Sequence, residues 1–106
     1  MNFKKITKRI NDMAYLNPRK DRRASFYNKA EYFTNDNGDT VLHSYGTPVC
    51  RVNADGSLYF YPAWDYSQTT LRHVKDFIYQ FTDYNFNSKG EIEKYIKENN
   101  AMISNY

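Results

Sequence analysis

The chain has 106 residues, 41% hydrophobic and 18% aromatic, with 11 Tyr and 7 Phe. That is enough apolar side chain for a single core and too much for a disordered chain. The lone cysteine, Cys50, excludes an internal disulfide and suits a reducing cytosol, and no apolar run approaches the roughly 20 residues of a membrane span.

The net charge of +3 is unevenly divided. Residues 1–30 hold nine Lys/Arg and two Asp/Glu, a local +7, whereas 31–106 hold six and ten, a local −4. Such asymmetry marks a basic arm, residues 1–23, on a mildly acidic body within one domain spanning 1–106. No apolar stretch follows the basic N-terminus, so it does not read as a secretory signal. Phe3, Ile6, Ile10 and Met13 recur at helical spacing and predict a short basic helix over 3–13. Pro18 disfavours helix at Asn17, and "NPRKDRR" (17–23) reads as a charged loop.

From Ser25 the period changes to that of strands. "SFYNKAEYF", "TVLHSYG", "PVCRV" and "SLYFYP" are β-prone segments separated by the turn signals "NDNGD" and "NADG". Gly46 and Pro48 predict a bulge or sharp bend between the second and third. Residues 25–62 therefore read as an antiparallel meander of three to four strands. Leu71, Val74, Phe77, Ile78 and Phe81 restore a helical stripe from about 69 to 82, with Ser67 or Thr69 as its N-cap. Ser88 and Glu91 have capping-box spacing before a second helix over 89–99, and the tail 99–106 reads as frayed. The fold class is α+β: a meander, a short basic N-terminal helix, and two C-terminal helices (the helical part, 67–99) packed on one face.

Chemistry concentrates in "DYSQTTLRH" (65–73). Its plain reading is a cap followed by a solvated helix face, with Arg72 and Asp76 as an i, i+4 ion pair. Its sharper reading is an interface or anion site built from Tyr66, Ser67, Thr69, Arg72 and His73. Cys50 reads as a small buried hydrophobe rather than a nucleophile, although His43 falls on a neighbouring strand. Asp55 and Asp65 read as turn and cap residues. Neither a metal-ligand spacing nor a phosphate-loop motif is present, so no cofactor, metal or catalytic residue is expected. The stronger functional signal is Lys4, Lys5, Lys8, Arg9, Arg19, Lys20, Arg22 and Arg23. These eight cations could neutralise phosphates of RNA or DNA, with Tyr15, Phe26 and Tyr27 as stacking aromatics, or meet an acidic protein surface. The Tyr content is also compatible with a homodimer.

Ser44, Tyr45, Thr47 and Val49, followed by Tyr66, Ser67, Thr69, Thr70, His73, Val74 and Phe77, form a spaced pattern over the middle third of the chain. In this the chain resembles a set of small uncharacterised proteins of phages, prophages and plasmids from low-GC Gram-positive bacteria. The resemblance implies an accessory protein that binds and blocks host machinery, as type II anti-CRISPR proteins block Cas9. It implies a host protein or ribonucleoprotein as partner, and it carries no catalytic role. It also suggests that the hydroxyls of 65–73 brace the meander at Tyr45 and Thr47.

Overall fold

The computed structural model describes residues 13–104. Apart from Met13, the predicted N-terminal helix lies outside them, and so do Lys4, Lys5, Lys8 and Arg9. Five strands run in chain order: β1 (Ala14–Tyr15), β2 (Ala30–Thr34), β3 (Thr40–Ser44), β4 (Thr47–Val52) and β5 (Leu58–Phe60). They form one antiparallel meander, β1-β2-β3-β4-β5. A 3-10 turn (Pro62–Asp65) leads to α1 (Gln68–Phe81) and α2 (Lys89–Asn99). The α+β class is as expected.

Three details differ from the sequence reading. The fifth strand is β1, whose two residues pair with Tyr32 and Glu31 and are too few to show a period. Residues 25–29 are not strand. Tyr27 and Asn28 adopt left-handed backbone (φ 54 and 60), and Lys29 N donates to Phe26 O at 3.0 Å. The tail is docked rather than frayed. Asn100 (φ 51) turns the chain after α2, and Ala101 is fully buried. Phe60 N donates to Ala101 O (2.9 Å) and Ile103 N to Phe60 O (2.8 Å), so the tail covers the free edge of β5.

The hairpins follow local rules. Asn35 Oδ1 accepts from Asn37 N and Asp39 N, while Gly38 takes φ 85, a conformation that favours glycine. Between β3 and β4 the turn is only Tyr45–Gly46, with φ 52 and 79, the mirror-image turn that suits strand twist. A bulge follows as predicted. Leu42 faces Cys50 but His43 faces Pro48, so Val49 is extra, and its carbonyl accepts from Tyr61 N at 3.1 Å.

Alternation sorts the side chains. Ala30, Leu42, Cys50, Leu58 and Phe60 point inward and meet Leu71, Val74, Phe77 and Ile78 of α1, with Ile92 of α2 and Trp64. Each fully buried large side chain contributes roughly 1.5–3 kcal/mol. The opposite face carries Glu31, Phe33, His43, Arg51 and Tyr59, with the Arg51 guanidinium 5.4 Å from the Tyr59 ring centroid. Cys50 and His43 thus lie on opposite faces. Burial pushes the Cys50 thiol up, so this pair cannot act as a nucleophile and base. Among the described residues no helix is long and apolar enough to cross a membrane.

Candidate functional site

The predicted Arg72–Asp76 ion pair is replaced by something stronger. Asp76 is 1% exposed, and a buried carboxylate needs several donors. Its Oδ1 accepts from Arg19 N at 2.9 Å, its Oδ2 from Asp21 N at 2.8 Å, and Lys20 N lies within 3.2 Å of both oxygens. Gln80 Nε2 adds a fourth donor at 2.7 Å and also reaches Asn17 O at 2.8 Å. Three consecutive amides of the charged loop are therefore clamped onto α1. Arg72 turns instead to Asp21 (3.7 Å). Lys20 Nζ donates to Asn87 Oδ1 at 2.7 Å and lies over the Tyr79 ring, tying the loop to the segment between the helices. The predicted loop is real, but it is a fixed ridge.

The sequence places His73 on a solvated helix face; the structure buries it fully. Its neighbours on the helix hide the reason, because its partner comes from β3: Ser44 Oγ lies 2.8 Å from His73 Nδ1. Ser44 Oγ is also 3.1 Å from Thr70 Oγ1. Ser67 caps α1 as expected, accepting from Thr70 N at 3.1 Å and donating to Thr70 Oγ1 at 3.2 Å. A relay from Ser67 to Thr70 to Ser44 to His73 Nδ1 gives every hydroxyl proton an acceptor and leaves the ring proton on Nε2. Desolvation lowers the His73 pKa to about 4, against the opposing fields of Asp21 and Asp76, so the ring is neutral at pH 7. His73 Nε2 is the one buried side-chain polar atom among the described residues without a hydrogen-bond partner. The bracing role inferred from the sequence is therefore present, but it acts at Ser44 rather than at Tyr45 or Thr47.

Two cavities flank this relay. One, of about 590 Å³, lies between the β3–β4 hairpin and the start of α1. It is lined by Ser44, Tyr45, Thr47, Val49, Ala63, Tyr66, Ser67, Thr69 and Thr70. All but Ala63 belong to the spaced sequence pattern. The other, of about 220 Å³, is lined by Arg23, Ser25, Phe26, Tyr27, Lys29, Tyr45, Thr69 and His73. Tyr45 and Thr69 form the wall common to both. A third depression, about 250 Å³, separates Lys20, Asp21 and Arg22 from Arg72, Lys75 and Asp76.

The structure thus gathers Tyr66, Ser67 and Thr69 at one cleft, sets His73 behind it, and turns Arg72 away to the basic ridge. Arg19, Arg22 and Arg23 are exposed on that ridge. Sequence reasoning missed Lys29 and Lys75 and gave Asp76 the wrong partner; Asp76 lies off the apolar stripe beside Arg72, so no local signal marked it as buried. Among the described residues no group of three His, Cys, Asp or Glu side chains is placed to hold a metal ion. Residues 14–98 match the model of a family of unknown function, DUF8033. No curated protein and no solved structure matches the chain.

Proposed function

The chain belongs to this family of unknown function, DUF8033, and we propose that it is a non-enzymatic binding protein that engages a phosphate-rich partner through the ridge at 19–23. The observation that carries this reading is the clamp of Asp76 on three successive ridge amides. It fixes the backbone of the ridge that carries Arg19, Lys20, Arg22 and Arg23, with Lys20 and Arg22 across one depression from Arg72 and Lys75 of α1, so little backbone ordering remains to be lost on binding. Cations displayed this way suit phosphate backbones, which Lys and Arg neutralise with release of counterions.

The resemblance to mobile-element proteins supplies the partner class. The first reading is stoichiometric inhibition, in the bacterial cytoplasm, of a host defence nuclease ribonucleoprotein, with Cas9 and its guide RNA as the first candidate. The second is an accessory protein on free nucleic acid, favoured by the exposed Tyr27 close behind the ridge, where a base could stack. Size-exclusion chromatography with Cas9, with and without guide RNA, at low and moderate salt separates them. Guide-dependent co-elution with Cas9 supports the first reading. Salt-sensitive binding to guide RNA alone supports the second. No complex with either overturns both.

A further inference from the structure

The cavity behind the ridge carries a separate inference. His73 Nε2 is fully buried and lacks an acceptor among the described residues, a state native proteins rarely leave unresolved. The ring borders a cavity whose other walls bring two cations, Arg23 and Lys29, and the hydroxyl-bearing Ser25 and Thr69. Neither cation has an ion-pair partner among the described residues. A donor in want of an acceptor, beside two unpaired cations, asks for an oxyanion. About 220 Å³ is roughly seven liquid-water volumes, room for one phosphate group and little else.

Two tyrosines guard the opening in unfavourable backbone. Tyr27 and Tyr45 have φ 54 and 52, where a residue other than glycine costs roughly 1–2 kcal/mol. They are 74% and 55% exposed, so burial does not repay that cost. Tyr45 N donates to Lys29 O at 2.8 Å, which fixes the two turns against each other. Strain kept at the lip of a cavity is a mark of ligand sites. On the other side of Tyr45 and Thr69 lies the larger cavity, walled by Val49, Ala63 and the exposed ring of Tyr66.

We propose that these adjoining cavities form one binding site for a nucleotide, with the phosphate held by His73 Nε2, Arg23 and Lys29 and the base in the cleft between Tyr45 and Tyr66. The site shares Arg23 with the ridge but none of Arg19, Lys20 or Arg22.

The test is NMR of the histidine-labelled protein, titrated separately with inorganic phosphate, adenosine and AMP. His73 should show the Nε2–H tautomer. Phosphate should shift His73 saturably and leave His43, on the other sheet face, unmoved. AMP should bind at least ten-fold more tightly than either phosphate or adenosine and also shift Tyr66. The surface variant Arg23→Gln/Lys29→Gln should weaken AMP binding at least ten-fold while keeping the wild-type spectrum elsewhere. No saturable response at His73, equal responses at His43, or AMP binding no tighter than phosphate would each overturn the nucleotide site. Because the readout is local to His73, a failure here leaves the ridge untouched, and loss of ridge binding in a variant of Arg19, Lys20 and Arg22 alone, which lie outside this cavity, leaves this result standing.

Discussion

Ser44 of β3 and His73 of α1, 29 residues apart, share a buried hydrogen bond of 2.8 Å. This contact joins the hairpin to the helix at the point where both cavities meet. It also fixes which nitrogen of His73 stays bound inside the protein and which is left over.

His73 makes stability depend on pH. Its folded pKa is lowered to about 4 from an ordinary 6.5, so between those values the unfolded chain binds more protons. The stabilising contribution is therefore present above pH 6.5 and lost as pH falls towards 4. The full loss is about 3 kcal/mol. Urea denaturation at pH 7 and pH 5 should show a fall that shrinks in His73→Gln. An equal fall in both proteins would show that the histidine is not the cause.

Asp76 should be the costliest polar residue to remove. Asp76→Ala leaves the amides of Arg19, Lys20 and Asp21 without their acceptor, at a cost of about 3–5 kcal/mol. Asp76→Asn keeps the shape but presents an NH2 group to donors, and should cost about 2 kcal/mol. Hydrogen exchange at residues 19–21 should accelerate in both. A change below about 1 kcal/mol, with unchanged exchange, would mean that the ridge is not anchored by this carboxylate.

Tyr45 should be suboptimal for stability. Asparagine tolerates left-handed backbone better, so Tyr45→Asn should leave the melting midpoint unchanged or raise stability by up to about 1 kcal/mol. The same change should weaken AMP binding. Destabilisation by more than about 1 kcal/mol would assign Tyr45 to packing rather than to a ligand.

Ser88 gives a simple check on the C-terminal helix. Its side chain accepts from Glu91 N at 3.2 Å, and the Glu91 carboxylate accepts from the Ser88 amide in return. Ser88→Ala should cost about 1 kcal/mol in thermal denaturation; no measurable change would make the box decorative.

What the sequence made legible was local. The cap at Ser67, the capping box at Ser88, the helix 89–99, the turns at 35–39 and 53–56 and the bulge near Pro48 all follow from rules that act within a few residues. What it hid was long-range. His73 looked solvated because its partner, Ser44, lies across the sheet–helix interface. Asp76 looked like a partner for Arg72 because its true donors stand more than 50 residues earlier. Tyr27 and Tyr45 looked like strand residues because aromatics favour strands, whereas each sits in a tight turn, and one hydrogen bond, Tyr45 N to Lys29 O, joins the two turns. The docking of Ala101 on β5 needed a free strand edge that no local pattern shows. Most residues of the spaced pattern of 44–49 and 66–77 line one cleft, which the spacing alone does not show. Its purpose there was not readable without the fold.

The proposed binding of the clamped ridge to a phosphate-rich partner has a characteristic salt dependence. The direct measurement is affinity for Cas9 guide RNA as a function of salt, for the wild-type chain and for the variant in which Arg19, Lys20, Arg22 and Arg23 become Gln. Log affinity should fall linearly with log salt. In the variant the slope should be shallower by about 2–3 units, as expected for cations that each release roughly 0.7 counterion from single-stranded RNA. A variant with the wild-type slope and affinity would contradict the account.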